Sequence, residues 1–151
     1  MNIRKVSRGF TLIELLVVIS IIGILIGLTV VAFQSAKASA RDAKRKTDLE
    51  TIRSALDIYR TDCGDYPATL PAPGSPLIGD GTPASCATGN IYISAVPGDP
   101  LYTAGYLYSY PPPPGSSYVL CASLETQTTG GAPGGCGSCG TAACNYKVES
   151  P

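Results

Sequence analysis

The sequence predicts an α+β fold: one long N-terminal helix, apolar in its first half and amphipathic in its second, packed on a small antiparallel β-sheet of about three strands with disulfide-stapled loops. Three observations carry this. Residues 15–36 hold no charged side chain, and no proline occurs between residues 1 and 66. Apolar residues then recur at helical spacing as Leu49, Ile52, Leu56 and Tyr59. All six cysteines, Cys63, Cys86, Cys121, Cys136, Cys139 and Cys144, fall in the Gly- and Pro-rich part that follows. A chain of 151 residues has room for one such domain and an appendage.

The apolar run comes first. Its 22 residues exceed the ~20 that a helix needs to cross a bilayer. Three readings compete for it. A secretory signal peptide would be cut near Ala38 or Ala40, where small residues alternate, but its apolar core is usually only about 7–15 residues long. A plain single-span anchor fits the length. Both leave Glu14, a carboxylate at the start of the run, without a purpose. The third reading takes Glu14 and its neighbours as the signal itself.

Flanking charges and cysteines disagree about topology. Arg4, Lys5 and Arg8 precede the run, and Lys37, Arg41, Lys44, Arg45 and Lys46 follow it. The excess of bases on the far side favours keeping that side in the cytoplasm. Six cysteines in a loop-rich region favour an oxidising compartment, and the cysteines take precedence because the charge rule is only a bias.

Beyond the apolar run the helix continues. Ala36, Ala40 and Ala43 form one short stripe, and Leu49, Ile52, Leu56 and Tyr59 form a second about half a turn away, so the two are expected to meet different neighbours. Glu50, Arg53, Asp57 and Arg60 lie opposite the second stripe. Cys63-Gly64 and Tyr66-Pro67 supply the stop. A helix over residues 11–60 would be about 75 Å long at 1.5 Å per residue.

Residues 67–90 read as loop, with five prolines and four glycines. After a turn at 96–100, residues 105–110 and 117–124 read as strands, and residues 145–149 as a third. The run Pro111 to Pro114 with Gly115 is read as the hairpin loop between the first two, in preference to a polyproline ligand for another domain. Residues 128–141 read as one long Gly-rich loop tied down by its own cysteines. Tyr106, Tyr108 and Tyr110 share a strand face and are read as a core cluster in preference to a sugar-binding platform.

Composition narrows the function classes. Eleven bases balance eleven acids, so no direct attraction to nucleic acid is expected. The bases concentrate early: ten of them lie in residues 1–60. Six cysteines allow 15 pairings, and the sequence does not choose among them. Cys136 and Cys139 form a C-x-x-C, but there is no second one and no histidine, so disulfides are preferred to a zinc site. No G-x-S-x-G, phosphate loop or paired-carboxylate cluster is present, and neither enzymatic activity nor a cofactor is expected.

The segment Arg8-Gly9-Phe10-Thr11-Leu12-Ile13-Glu14-Leu15-Leu16-Val17-Val18, behind a short basic leader and opening the apolar run, resembles the type IV prepilin signal. That family includes type IV pilins, competence pilins and type II secretion pseudopilins. Downstream, Leu56-Asp57-Ile58-Tyr59 with Gly64-Asp65-Tyr66-Pro67 is similar to the helix end of major pseudopilins, and Asp99-Pro100 with the Tyr-rich segment to their sheet.

The resemblance implies four regions: a cleavable leader at 1–9, an apolar membrane and filament-core helix at 10–35, an amphipathic helix at 36–62 and a small β head at 63–151. A membrane aspartyl prepilin peptidase would cut between Gly9 and Phe10, and Phe10 would be N-methylated. Glu14 would meet the new amine of a neighbouring subunit and help set the register of assembly. Partners would be pilin-like subunits, the peptidase, an inner-membrane assembly platform and the membrane. The subunit would sit in the inner membrane before assembly and in an extracellular or periplasmic filament afterwards. Asp99 is a weak candidate for an ion site of the kind major pseudopilins carry.

Two functions of different class follow. The first is a structural subunit of a type IV pilus-like filament, with a type II secretion pseudopilin as the alternative within that class; the cysteines and Pro/Gly-rich loops tip the choice slightly to the pilus. The second is a membrane-anchored, cysteine-stapled binding module. Gly23 and Gly27, four apart, would let helices approach closely or would simply soften the helix.

Overall fold

The structure, a computed structural model, describes residues 9–111, 116–127 and 133–150. The leader before Gly9, most of the proline run and the start of the Gly-rich loop, all assigned from sequence, lie outside the described residues. The elements in order are helix α1 (Leu12–Cys63), β1 (Leu77–Ile78), β2 (Ile91–Ile93), β3 (Val119–Ala122), β4 (Ser138–Cys139), β5 (Ala142–Ala143) and β6 (Tyr146–Glu149), with 3₁₀ turns at Ala84–Cys86 and Tyr102–Ala104. The chain forms two compact units, Met1–Lys37 and Ala38–Pro151, and α1 contributes to both.

In the first unit, α1 is long and apolar enough to cross a membrane. Its described large apolar side chains, from Leu12 to Ile26 and again at Phe33, are exposed in the isolated chain, as is Phe10 before it. That much apolar surface requires lipid or other helices around it. Two hydroxyls in this half are satisfied within the helix: Ser20 Oγ donates to the Leu16 carbonyl at 2.7 Å and Thr29 Oγ1 to that of Ile26 at 2.9 Å. A hydroxyl bonded to its own backbone enters an apolar medium without an orphaned donor.

In the second unit, the apolar stripe of α1 is the spine of the core. Leu49, Ile52, Leu56 and Tyr59 are almost fully buried, as is Ala55 between them. They pack with Tyr66, Leu77, Val96, Tyr118, Leu120, Ala122 and Val148. The helix stops at Gly64, whose positive φ of 89° accommodates the left-handed turn and whose N–H bonds to the Arg60 carbonyl at 2.8 Å.

The central pairing is β3 with β6, antiparallel, Leu120 opposite Val148 and Ala122 opposite Tyr146. Alternation divides β3 between two cores. Leu120 and Ala122 face the helix cluster, whereas Cys121 joins Cys136, Cys139 and Cys144 in a second buried cluster with Val119 packed against it. The six cysteines form three disulfides: Cys63–Cys86, Cys121–Cys136 and Cys139–Cys144.

Three sequence expectations are corrected. Residues 105–110 do not form a strand. They make isolated bridges, Tyr106 to Gly140 and Ser109 to Cys121, because their tyrosines turn inward: the Tyr110 hydroxyl donates to the Pro67 carbonyl at 2.8 Å and that of Tyr108 reaches α1. The loop at 67–90 contains β1, which pairs with β2. Only glycine fits at Gly79 beside it, where a Cβ would collide with the Cys86 and Ala87 carbonyls. The Gly-rich stretch is not one loop, since β4 lies within it and pairs with β5.

The stripe of Ala36, Ala40 and Ala43 is not a buried face, since all three are exposed. The buried face runs instead from Leu49 back through Asp48, Arg45 and Asp42.

Two aliphatic positions on α1, Leu56 and Ile58, distinguish the spine from the solvent face. Leu56→Ala is expected to lower unfolding free energy by about 2–5 kcal/mol. Ile58→Ala, at an exposed site, is expected to change it by no more than about 0.5 kcal/mol. Urea titration of the detergent-solubilised chain followed by near-UV circular dichroism would separate the two.

Candidate functional site

Two constellations concentrate the chemistry, one in each unit. The first opens α1. Thr11 sits just before the helix, and Glu14 is in its first turn. The Thr11 N–H donates to Glu14 Oε2 at 2.9 Å and the Thr11 hydroxyl to the same oxygen at 2.7 Å, while the Glu14 N–H donates to Thr11 Oγ1 at 3.3 Å. This is a reciprocal capping box, which satisfies donors that the first helical turn leaves free. Its sequence signal is the Thr-x-x-Glu spacing, which the reading of the motif passed over. Gly9 and Phe10 precede it directly, both exposed, with open space around Gly9. The Glu14 carboxylate is thus turned toward the chain's N-terminal side of the helix, where acidic groups are favoured.

The second constellation is buried and centres on Arg45, whose side chain is 0% exposed. Its guanidinium holds Asp99 with two hydrogen bonds, Nε to Oδ2 at 2.7 Å and Nη2 to Oδ1 at 3.1 Å. Nη1 donates to Asp42 Oδ1 and to Glu125 Oε1, each at 2.7 Å. Glu125 is held from the other side by Arg41, through Nε at 2.7 Å and Nη2 at 2.5 Å. Asp42 also accepts the backbone N–H groups of Glu125 and Thr126, at 2.9 and 2.8 Å, and the Thr126 hydroxyl at 2.6 Å. One turn on, Asp48 accepts from Lys44 and from the Tyr108 hydroxyl, both at 2.9 Å.

Electrostatics follow from this geometry. Burial alone would depress the Arg45 pKa, but its bonds to Asp99, Glu125 and Asp42 outweigh that and raise it. Burial pulls Asp42 upward, yet the Thr126 hydroxyl, two backbone N–H groups and Arg45 hold it below its ordinary value. Glu125 is held low chiefly by Arg41. Burial, with the Asp48 carboxylate beside it, pushes Tyr108 upward. Charges that are paired and multiply bonded in this way tolerate burial; unpaired ones do not.

Asp99, the sequence's weak ion-site candidate, spends both oxygens on Arg45, and Oδ1 also accepts the Leu101 N–H at 2.7 Å. Arg45, Asp42, Glu125, Asp48 and Tyr108 were missed as a set. A signal existed: Asp42, Arg45 and Asp48 continue the stripe of Leu49 and Ile52, which places charges on the core face. Three of the five bases after the apolar run, Arg41, Lys44 and Arg45, are bonded to carboxylates. The basic flank that conflicted with the cysteines therefore has a purpose within the folded head.

Among the described residues, one group gathers three potential ligand atoms: the sulfurs of Cys63 and Cys86 and a carboxylate oxygen of Asp80 lie within 4.8 Å of one another. Both sulfurs are in a disulfide, so neither is the thiolate that binds metal.

Comparison with known proteins places these features in context. The model of the prokaryotic N-terminal methylation motif matches residues 4–30, and the model of type II secretion system protein G matches residues 32–137. The chain is similar to the type II secretion system core protein G of Vibrio cholerae, 32% identical over 136 residues, covering 85% of this chain and 88% of that protein. It is 38% identical over 96 residues to the protein of the same name from Escherichia coli K12, covering 62% of this chain and 66% of that one. With that of Klebsiella michiganensis it shares 44% identity over 66 residues, covering 44% and 46%. The matched stretch thus spans just under two thirds of the second relative and under half of the third. No solved structure matches significantly.

Removing the guanidinium would take a partner from three carboxylates and leave buried Asp99 without its cation. Arg45→Met is expected to destabilise the chain by about 3–5 kcal/mol, measurable as a drop in the urea midpoint. Acid should act on the same cluster. Asp42 and Glu125 have folded pKa values below their ordinary 3.8 and 4.5, so their contribution is complete above those values and is lost as pH falls through the depressed ones. A thermal melt series from pH 7 to pH 2 is expected to show Tm falling most steeply below about pH 4, and a flatter profile for Arg45→Met.

Proposed function

Because the chain belongs to the type II secretion system protein G family, we propose that it is a structural subunit of a pilus-like filament, in the pseudopilin branch that serves secretion. The carrying observation is the union of a capped Glu14, an apolar helix and a preceding Gly9-Phe10 in one chain with a family-matched head. Of the two filament readings taken from sequence, the pilus was slightly preferred; the family favours the secretion branch.

A prepilin peptidase cuts between Gly9 and Phe10, and Phe10 becomes a methylated N-terminus. Glycine at the cut lets the backbone approach an active site closely. The apolar half of α1 holds the subunit in the inner membrane, with the disulfide-bonded head outside it, and then lies in the core of a periplasmic filament. An acid at mid-membrane costs about 2.5–3.5 kcal/mol on insertion scales. The capping box offsets part of that cost before assembly, and the amine of a neighbouring subunit takes it over afterwards. Subunits of the same kind, the peptidase and an inner-membrane assembly platform are the partners. The chain contributes no catalytic group of its own.

Co-expression with a prepilin peptidase, followed by mass spectrometry of the membrane-extracted product, is expected to give an N-terminus at Phe10. Glu14→Ala is expected to be processed but to lose filament formation, scored by shearing and electron microscopy. A product beginning after Ala38 or Ala40, or retaining Met1, would point to the anchored or secreted binding module instead.

A further inference from the structure

The three disulfides differ in their access to solvent. Cys121, Cys136, Cys139 and Cys144 are each 0% exposed. Cys86 is also fully buried, but its partner Cys63, the last residue of α1, is half-buried and lines an open pocket of about 450 Å³ with Tyr59, Asp65, Tyr66, Asp80 and Pro83. Of the six cysteines Cys63 is thus the one that is not fully buried, and the Tyr92 hydroxyl lies 3.6 Å from its sulfur.

We propose that Cys63 is a site of thiol–disulfide exchange with a thiol carried on a neutral or positively charged partner. The incoming thiolate attacks Cys63 Sγ, a new S–S bond forms there, the Cys63–Cys86 bond breaks, and its electron pair leaves on Cys86. The departing Cys86 sulfur already accepts the Asp80 backbone N–H at 3.4 Å, a donor placed to stabilise developing negative charge. Ordinary solvent protons then neutralise it.

Charge around the pocket sets the class of partner. Asp65 and Asp80 are exposed on its wall, and the Asp80 carboxylate lies within 4.8 Å of both sulfurs. An anionic thiol is repelled at that mouth and a cationic one attracted. The segment around Cys86 keeps other ties to the helix end. Ser85 Oγ donates to the Asp62 carbonyl at 2.5 Å, the Tyr92 hydroxyl to Asp62 Oδ2 at 3.2 Å, and the Tyr59 and Tyr92 rings meet edge-on at 5.0 Å. Exchange at Cys63 therefore leaves the fold in place and makes a covalent handle at the head, by a route independent of the assembly reading.

The test treats the full chain in detergent with cysteamine, 2-mercaptoethanol or thioglycolate at equal thiolate concentration, quenches with N-ethylmaleimide and maps peptides by mass spectrometry. The first product is expected to carry the thiol on Cys63 and the maleimide on Cys86, with the other four cysteines still bridged. Relative to their rates with a small model disulfide, which removes differences in intrinsic nucleophilicity, cysteamine is expected to outpace thioglycolate by about fivefold, and Asp80→Asn to narrow that ratio. First modification at Cys121, Cys136, Cys139 or Cys144, an adduct on Cys86, or equal relative rates for the three thiols would overturn the proposal.

Discussion

Arg45 ties three separate parts of the sequence to one point on α1. Its guanidinium joins Asp42 on the helix itself, Asp99 fifty-four residues on and Glu125 eighty residues on. A planar fork with fixed donor directions accepts these carboxylates only in one arrangement. The turn at Asp99 and the strand exit at Glu125 are therefore set against the helix together. The apolar stripe then closes between them. Much of the energy of such a cluster goes into offsetting the desolvation of its charges, so its main contribution is specificity of arrangement.

Small size explains the rest of the head's construction. Its longest strands, β3 and β6, have four residues each, and the other pairings are two or three residues long. Pairings this short are not stable alone and need a helix or a cross-link behind them. The helix covers one side of β3 through Leu120 and Ala122, and two disulfides gather on the other around Cys121. Cystines there substitute for an apolar layer that a Gly-rich segment cannot provide. Each bridge of this kind typically contributes about 2–4 kcal/mol by restricting the unfolded chain.

The N-terminal unit obeys a different solvent. The large apolar side chains described in it are exposed, the hydroxyls of Ser20 and Thr29 turn back on helix carbonyls, and Glu14 caps its own helix. Each feature lowers the cost of placing a helix in lipid or among identical helices. The positions that look idle in an isolated chain fall largely within residues 4–30, the stretch that matches the prokaryotic N-terminal methylation motif.

The sequence by itself determined the long helix, its division into apolar and amphipathic halves, its stop at Gly64, the strands at β3 and β6, and the recruitment of the cysteines into disulfides. These rest on local rules, since periodicity, glycine geometry and compartment act over a few residues or on composition. It also marked Gly9, Phe10 and Glu14, because that motif is contiguous. Tertiary structure decided the rest. It chose one pairing among fifteen for the cysteines, split β3 between two cores and made residues 105–110 an inward-facing bridge in place of a strand. It turned Arg45, read as one more charge beside a membrane span, into the buried centre of the head. An isolated arginine gives no sign of burial; only carboxylates brought from distant segments make burying it tolerable.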